Sequence, residues 1–405
     1  MAEPKLRFKE ENGVQFPDWE EKTFNDIADY KKGPFGSALK KKIFVPKSNN
    51  TVKVYEQQNA ISKDWRLERY FVTDEYFQAN LKSFSVSGGD IIVSCAGTIG
   101  EVYELPNDAE EGIINQALMR VRIKKSVINS MVFKCVFDKM ISSEGIKISN
   151  GSALKNIPPF ADMKKQPVFL PSLPEQQKIA SLFAEIDTLI QSAEKELEGY
   201  RELKHGMLQK MFPKKGEKVP EIRFPEFTGD WEQRKLGDAV QITMGQSPDG
   251  STYSETPSDY ILVQGNADLK DGWVTPRMWT TQVTKKADAG DLIMSVRAPA
   301  GAMGKTAYDA VIGRGVAAIK GNEFIYQLLV KMDGDGYWKP LSCGSTFESL
   351  NSNNIKNANV LIPNTNEQKK IGECFSNLDN LIALQQKELD GYKELKKGLL
   401  QQMFC

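Results

Sequence analysis

Residues 175–212 read EQQKIASLFAEIDTLIQSAEKELEGYRELKHGMLQKMF, and residues 367–404 repeat this stretch as EQKKIGECFSNLDNLIALQQKELDGYKELKKGLLQQMF. Aligned from Pro171 and Pro363, the two copies are identical at 22 of 42 positions without a gap. Each copy carries apolar residues at alternating steps of four and three, which is the heptad spacing of helices that pair along a seam. The repeat therefore sets the architecture of the chain.

The apolar stripes of the two copies are candidate subunit-interface positions. A helix of this length spans roughly 55 Å, which favours a spacer or a surface for partner subunits over an ordinary core helix. Lys204 and Lys396 interrupt the stripes at matching places, and polar seam residues of this kind fix the register of a pair. The interface candidates are Ile179, Phe183, Ile186, Ile190, Leu197, Tyr200, Ile371, Phe375, Leu378, Ile382, Leu389 and Tyr392.

Composition limits the class of protein. The 405 residues predict two or three domains, and an apolar content of 40% is enough for packed cores. The five cysteines form no CxxC pair, and the single histidine, His205, corresponds to Lys397 in the second copy, which argues against a zinc site and against imidazole catalysis. The N-terminus lacks an apolar core, and no apolar run reaches the roughly 18 residues of a membrane helix. We expect a reduced, cytoplasmic protein with no membrane segment.

Charge is distributed unevenly, although the formal net charge is zero. Residues 31–70 hold ten Lys or Arg and three Asp or Glu, a local excess of seven positive charges. A basic stretch of this kind is typical of contact with a polyanion, whatever the net charge of the whole chain.

The repeat extends beyond the helices, so the chain is predicted to alternate globular domain and long helix. The matched segments are Phe16–Glu20 with Phe227–Glu232, Gly89–Gly100 with Gly290–Gly304, and Gly151–Leu154 with Gly344–Phe347. The apolar run after each Gly-Asp predicts a buried strand, and the glycines after it predict a tight turn. The predicted segments are a first domain (1–170), a first long helix (171–213), a second domain (214–362) and a second long helix (363–405).

Three fragments that resemble catalytic motifs are incomplete. Gly301–Thr306 resembles the end of a phosphate-binding loop, but Pro299 stands where the pattern requires the first glycine. Asn156–Phe160 resembles the Asn-Pro-Pro-Phe motif of amino methyltransferases, but Ile157 interrupts it. Carboxylates at Asp18 and Glu20 are too close in sequence for a nuclease metal site, and we expect no metal and no catalytic residue in this chain.

The whole arrangement resembles the specificity subunit of type I restriction–modification enzymes. The resemblance lies in the Gly-Ser turn at Gly151, the strand end at Pro171 and the Glu175-Gln176 helix start, all repeated in the second unit. It implies an α+β fold with two mostly-β target-recognition domains, each followed by a long helix. The helices are expected to pair as an antiparallel coiled coil with pseudo-two-fold symmetry.

The resemblance also implies function and partners. A specificity subunit is not an enzyme; each domain reads one half of a split site in double-stranded DNA. The paired helices dock modification (methyltransferase) subunits, two of them in our interpretation, and restriction (motor and nuclease) subunits join that complex. S-adenosylmethionine, ATP and Mg²⁺ are then expected in the partners and no cofactor in this chain. Sequential domains on antiparallel helices would recognise half-sites about one DNA turn apart, roughly 34 Å.

The candidate DNA contacts follow from side-chain chemistry. Lysines grip phosphates, and Asn, Gln and Arg read base edges. The phosphate candidates are Lys31, Lys32, Lys40, Lys41 and Lys42, together with the backbone amides of Gly33, Gly36 and Ser37. The base-edge candidates are Gln57, Asn59, Asn115 and Gln116 in the first domain, and Gln246, Ser247, Gln264, Asn266, Arg297 and Arg314 in the second.

Two other functions compete with a DNA reader. An enzyme with its own nuclease or methyltransferase activity would need an intact catalytic motif. A coiled-coil adaptor that does not bind DNA would not need the lysine-rich loop or the paired polar residues. The sequence therefore favours the DNA reader.

Overall fold

The computed structural model describes residues 4–148, 160–342 and 349–404. The chain divides into two compact units. Unit 1 contains residues 1–192 together with 389–405, and unit 2 contains residues 193–388. Each unit thus combines one globular domain with one half of each long helix. The predicted Gly151–Leu154 and Gly344–Phe347 turns, and Asn156–Pro159, lie outside the described residues.

Unit 1 is built from short strands with few helices. The strands are β1 (Glu20–Thr23), β2 (Ala28–Lys32), β3 (Thr51–Tyr55), β4 (Tyr70–Thr73), β5 (Ser85–Val86), β6 (Ile91–Ser94), β7 (Val102–Glu104), β8 (Gly112–Ile114), β9 (Leu118–Ile123) and β10 (Pro167–Leu170). The helices are α1 (Phe24–Ile27), α2 (Gln57–Ile61), α3 (Asp74–Tyr76), α4 (Ser130–Ile148), α5 (Phe160–Lys165) and the long helix α6 (Leu173–Lys210), which continues into unit 2.

Unit 2 has the same character. Its strands are β11 (Glu232–Lys235), β12 (Gln241–Met244), β13 (Tyr253–Ser254), β14 (Tyr260–Val263), β15 (Leu269–Lys270), β16 (Trp273–Val274), β17 (Trp279–Thr280), β18 (Lys286–Ala287), β19 (Leu292–Ser295), β20 (Met303–Lys305), β21 (Ala310–Ile312), β22 (Val316–Lys320) and β23 (Asn359–Ile362). Its helices are α7 (Leu236–Ala239), α8 (Glu323–Gly334), α9 (Ser352–Lys356) and the second long helix, α10 (Thr365–Met403), whose last part belongs to unit 1.

The two domains have the same sheet topology. In unit 1 the sheets run β2-β9-β6-β7 and β4-β3-β8-β5, and in unit 2 the corresponding strands run β12-β22-β19-β20 and β17-β14-β21-β18. The equivalent pairs β3–β8 and β14–β21 are parallel, whereas the other pairs within these eight-strand sets are antiparallel. Unit 2 adds β16 and β15 to its first sheet and β13 to its second. Two sequences that differ in their middle parts therefore fold on one plan.

The core of unit 1 lies in layers. Tyr30 of β2 and Val121 of β9 pack with Phe133 and Phe137 of α4 on one face of the first sheet. A second cluster, which includes Tyr55, Ile92, Ile114 and Leu118, fills the space between the two sheets. A third cluster covers the outer face of the second sheet and includes Leu39 of the lysine-rich loop. Burial of these apolar side chains is the main force that fixes the sheets.

The two long helices contact each other in antiparallel order within each unit. In unit 1, Phe183 packs near Phe404 and Asp187 forms an ion pair with Lys396. In unit 2, Lys204 pairs with Asp379 at 2.5 Å, and Arg201 donates to Gln386 at 3.0 Å. Asp187 and Asp379 are equivalent positions of the repeat, as are Lys204 and Lys396. The lysines that interrupt the predicted stripes thus pair with the aspartate of the other helix.

Several local predictions are confirmed. The apolar runs after Gly89-Asp90 and Gly290-Asp291 form the strands β6 and β19, as predicted. The long helices begin at Leu173 and Thr365, two residues before the repeated stretches that open at Glu175 and Glu367. Pro174 is compatible with this start because the first-turn N–H groups of a helix have no intrahelical acceptor. Within the described residues, no helix has an apolar stretch long enough for a membrane span.

Candidate nucleic-acid interface

In unit 1, four loops meet where strands of the two sheets end. The N–H of Gly33, after β2, donates to the Leu118 carbonyl at 2.9 Å, and the N–H of Cys95, after β6, donates to the Ala117 carbonyl at 2.8 Å. A side chain at Gly33 would clash, because its Cβ would lie 1.8 Å from the Asn115 carbonyl oxygen. We call this group edge 1: Lys32–Gly33, Cys95–Gly100, Asn115–Ala117 and the start of α2 at Gln57.

Edge 1 brings together three of the four base-edge candidates of unit 1. The Asn115 Oδ1 accepts from the Ala117 N–H at 3.0 Å, which fixes the orientation of the side-chain amide. Gln116 beside it is exposed. The Gln57 amide lies near Gly97, with Nε2 3.8 Å from the place of a Cβ on that glycine. These amides offer donors and acceptors of the kind that recognise adenine.

Asn59, the fourth candidate, has a different environment. Its side chain is 2% exposed. Its Oδ1 accepts from the Glu56 N–H at 2.9 Å, and its Nδ2 donates to the carbonyls of Asp64 at 3.0 Å and Leu67 at 2.9 Å. The first bond caps the start of α2 and the other two hold the loop that follows it, so Asn59 is a structural residue and not part of the interface.

The lysine-rich loop lies between β2 and β3 on two short 3-10 turns, Gly36–Ala38 and Lys41–Ile43. Leu39 is buried against the second sheet, and the Tyr76 hydroxyl donates to the Ala38 carbonyl at 3.0 Å. These contacts fix the loop, while the side chains that are candidates for phosphate contact point outward. Those that are exposed are Lys32, Ser37, Lys40, Lys41 and Lys42.

Lys31 is held more closely than the other lysines. It is half-buried, and its ammonium lies 4.8 Å from the centroid of the Phe84 ring, within the range of a cation–π contact. Lys31 lies on β2 opposite Arg120 of β9, so this part of the sheet carries two cationic side chains.

Unit 2 builds an equivalent edge from the corresponding strand ends. The Gly245 N–H donates to the Val316 carbonyl at 3.0 Å, and the Val296 N–H donates to the Gly315 carbonyl at 2.9 Å. A Cβ on Gly245 would lie 2.1 Å from the Gly313 carbonyl oxygen, as for Gly33 in unit 1. We call this group edge 2: Gly245–Ser247, Gln264–Asn266, Val296–Ala298 and Gly313–Gly315.

Edge 2 contains all six candidates of unit 2. Gln246 and Arg314 are exposed, and the Arg314 N–H donates to the Ser247 hydroxyl at 3.2 Å. A Cβ on Gly313 would lie within 3.5 Å of Gln264, so Gln264 lines the same group of loops. The glycines on both sides of Arg314 leave its guanidinium unobstructed. The guanidinium group of a single arginine can donate to both major-groove acceptors of guanine, O6 and N7.

The two remaining candidates of edge 2 are anchored through their backbones. Arg297 is exposed, and its carbonyl accepts from the Ser295 hydroxyl at 2.9 Å. Asn266 is half-buried and opens a 3-10 turn, Asn266–Asp268.

Arg277 was missed by the sequence prediction. Its Nε donates at 3.0 Å to the buried Asp268 carboxylate, which also accepts from the Gln264 N–H at 2.7 Å. Because the side chain of Arg277 is 54% exposed, it can present the rest of its guanidinium beside Gln264. The nine-residue separation of Asp268 and Arg277 gave no recognisable motif, so only the fold could bring Arg277 to the edge.

The chemistry of both edges is that of binding by polar and cationic groups. Burial raises the pKa of the Cys95 thiol to about 12, so this cysteine is not a nucleophile at neutral pH. Lys305, in the fragment that resembles a phosphate-binding loop, lies on β20 and pairs with Glu323 at 3.0 Å. Among the described residues, no His, Cys, Asp and Glu side chains group in threes or more to hold a metal.

The predicted interface residues of the long helices are used inside the chain. Ile179 and Phe183 belong to the core of unit 1, and Ile371 and Phe375 belong to the core of unit 2. Ile186, Leu197, Leu378 and Leu389 are buried as well, whereas Ile190, Tyr200, Ile382 and Tyr392 are half-buried. The stripes therefore line the seam and the cores, and a surface for other subunits has to be sought on other faces.

The residues that open each long helix tie it to the start of its domain. Glu175 is fully buried and accepts two hydrogen bonds from Arg7, at 3.1 and 2.8 Å. Glu367 is fully buried and accepts from Arg223 at 2.7 and 2.8 Å. The adjacent Gln176 donates to the carbonyls of Val127 and Pro171. The repeated Glu-Gln pair is thus a structural joint between helix and domain.

Comparison with known proteins gives a consistent result. A family model described as the type I restriction modification DNA specificity domain matches residues 17–199 and 228–392. The chain is 31% identical over 255 residues to the putative type I restriction enzyme MjaX specificity subunit of Methanocaldococcus jannaschii, a match that covers 59% of this chain and only 58% of that protein. It is 22% identical over 432 residues to the MjaVIII specificity subunit of the same organism, covering 97% and 94% of the two chains.

The fold agrees with this assignment. The crystal structure of the type I restriction–modification S subunit from M. genitalium superposes with a TM-score of 0.62 at 15% identity, over 100% of this chain and 99% of that one. The chain therefore belongs to the DNA-specificity subunits of type I restriction–modification systems, which are the non-catalytic recognition subunits of these enzymes.

Proposed function

We propose that edge 1 and edge 2 each read one half of a split site in double-stranded DNA. The observation that carries this proposal is that equivalent strand ends, on domains of one topology, present different polar side chains. A common frame with different contact residues is what two different half-site sequences require. The long helices would then act as the spacer between the two readers.

The two edges are suited to different bases. Edge 1 offers the amides of Gln57, Asn115 and Gln116, and amides form their best paired contacts with adenine. Edge 2 offers Arg297 and Arg314, and guanidinium groups form their best paired contacts with guanine. We therefore propose adenine in the half-site of unit 1 and guanine in that of unit 2. Lys31, Lys32 and Lys40–Lys42 contribute phosphate contacts that carry no sequence information.

The proposed partners are two copies of a modification subunit, with restriction subunits added to that complex. S-adenosylmethionine, ATP and Mg²⁺ belong to those subunits, because specificity subunits of this family carry no cofactor. We further propose a cytoplasmic location, where the chain would meet its DNA substrate.

Exposed leucines on the long helices support two identical docking surfaces. Leu189 and Leu381 are equivalent positions of the repeat, as are Leu203 and Leu395, and all four are 45–52% exposed. Unit 1 contains Leu189 and Leu395, and unit 2 contains Leu203 and Leu381. A pair of exposed leucines that occurs twice, at equivalent positions of the repeat, fits two copies of one partner, one for each unit.

The docking surface is tested by the mass of the complex. Replacing Leu189 and Leu395 with Glu should leave a complex with one modification subunit instead of two, measured by native mass spectrometry. Leu384 is a matched control, since it is 65% exposed and its counterpart in the repeat is Ser192; Leu384→Glu should keep both subunits. Two bound subunits in the double variant, or loss of a dimer of this chain instead, would rule out the assignment.

The reading function is tested by the methylated sequence. Cells that carry the chain with its modification subunit should show one methylated bipartite sequence by methylation-sensitive sequencing. Arg314→Ala should relax the base preference at one position of one half-site, at a cost of about 1–3 kcal/mol for the preferred base. Asn115→Ala should affect the other half-site. Methylation without any sequence preference in the wild type would refute the proposed function.

A further inference from the structure

We propose that Phe35 is a wedge that inserts its ring at a base-pair step of the half-site read by unit 1. The inference rests on the proposed function of edge 1. Phe35 is 89% exposed, more than any other large apolar side chain in the described part of the chain; Leu384, at 65%, is next. An aromatic ring exposed to this degree has no role in the folded core.

The loop on both sides of Phe35 is fixed. Gly33 packs against the Asn115 carbonyl, and Pro34 is buried. After Phe35, its own carbonyl accepts from the Ala38 N–H at 2.9 Å, and Leu39 is buried against the second sheet. The ring is thus held away from the protein by anchored backbone, which lowers the entropy lost when it binds.

The charge around the ring identifies its partner. Residues 31–50 contain six lysines and no Asp or Glu. An exposed aromatic ring surrounded by lysines fits a partner that has negative charges next to flat apolar surfaces. Phosphates beside stacked bases are such a combination. Duplex DNA has both, and proteins that bend it insert apolar side chains of this kind between base steps.

Unit 2 has no aromatic residue at the place that corresponds to Phe35. At the corresponding place after β12, unit 2 has Gln246, Ser247 and Pro248, and the proline is buried. Unit 1 would therefore open its half-site at one step, whereas unit 2 would read an undistorted duplex. Because the energy of unstacking depends on the base step, Phe35 also favours steps that open easily, such as pyrimidine–purine steps.

The test uses the complex of the full chain with its modification subunit and a duplex that carries the methylated site. 2-Aminopurine is placed in turn at positions of the half-site of unit 1, where its fluorescence rises when stacking is lost. The wild type should give a rise at one step that disappears in Phe35→Ala and remains in Phe35→Trp. Affinity should fall about tenfold in Phe35→Ala, the size expected for one lost stacking contact.

The controls separate the wedge from other effects. Methyltransferases extrude their target base. A fluorescence signal that survives Phe35→Ala therefore comes from base extrusion and is not evidence for the wedge. Val14 is exposed in the same unit but lies outside both edge 1 and the lysine-rich loop, and Val14→Ala should change neither signal nor affinity.

Three results would overturn the inference. A fall in affinity without loss of a fluorescence signal would make Phe35 a contact to base edges. Loss of the modification subunit with unchanged DNA affinity would make it a protein contact. Unchanged affinity and signal would leave it without a role in binding. If the wild-type complex binds no specific DNA sequence, the proposed function itself fails. The three results above, by contrast, would overturn only the role of Phe35.

Discussion

Removal of Arg7 should destabilise unit 1 strongly. Glu175 is fully buried, and its carboxylate accepts two hydrogen bonds from Arg7, one from Nε and one from Nη2. Arg7→Ala leaves that charge buried without its cation, which costs about 3–5 kcal/mol. The equivalent Arg223→Ala should cost about 2 kcal/mol less, because Trp231 Nε1 also donates to Glu367, at 3.2 Å, and a hydrogen bond to a charge is worth about that much.

The difference arises from one indole. Trp19 corresponds to Trp231 in the repeat, but its Nε1 is buried and has no hydrogen-bond partner within the described residues. Glu175 therefore lacks the second donor that Glu367 has. Replacing Arg7 with Met and Glu175 with Leu together should recover most of the lost stability, since an apolar pair of similar volume removes the buried charge.

The assay is hydrogen exchange at increasing urea concentration, followed by mass spectrometry. Peptides from β6 and β9 report on unit 1, and peptides from β19 and β22 report on unit 2. Lys47→Ala serves as control, because it breaks a partly exposed ion pair with Glu68 and should cost less than about 1 kcal/mol. A loss below about 1 kcal/mol for Arg7→Ala, or equal losses in the two units, would refute the reasoning.

Three further predictions concern charge. Changing Lys40–Lys42 to Ala should weaken binding to all DNA sequences and reduce the slope of log affinity against log salt by up to about 3; unchanged affinity in a low-salt titration would exclude this cluster. A double-mutant cycle on Asp187 and Lys396, measured by urea unfolding, should give a coupling energy of about 1 kcal/mol, and zero coupling would contradict a register role. Burial raises the pKa of Asp138 to about 6. The native state then binds the proton more tightly than the unfolded chain. Stability should therefore decrease as the pH rises from about 4 to about 6. Asp138→Asn should flatten this profile and stabilise unit 1 at pH 7, which urea midpoints at two pH values will measure.

The sequence was sufficient for the parts of the fold that local patterns encode. The apolar stripe predicted both long helices, and the β-branched run after Asp90 predicted β6. The equal topology of the two domains was not predictable, because the parallel pairing of β3 with β8 joins segments far apart in a sequence whose middle parts differ between the units. Pairing over such separations leaves no local pattern.

The sequence named candidate residues by type, and only the fold shows which of them lie together. Most polar candidates lie at edge 1 or edge 2, since each follows a strand end. Asn59 lies three residues after Glu56, the spacing of a helix capping box, and this signal could have identified it as structural. Arg277 could be found only in the fold. Heptad spacing likewise identified the seam of the long helices but gave no sign that Leu189 and Leu381 stay exposed.

Each unit is proposed to read its own half-site, and an exchange of one globular domain tests this proposal. Residues 214–362 are replaced by the corresponding segment of another family member, and the DNA methylated by the resulting complex is sequenced. The exchange should change one half of the methylated site and leave the other half the same. A change in both halves, or in neither, would contradict it.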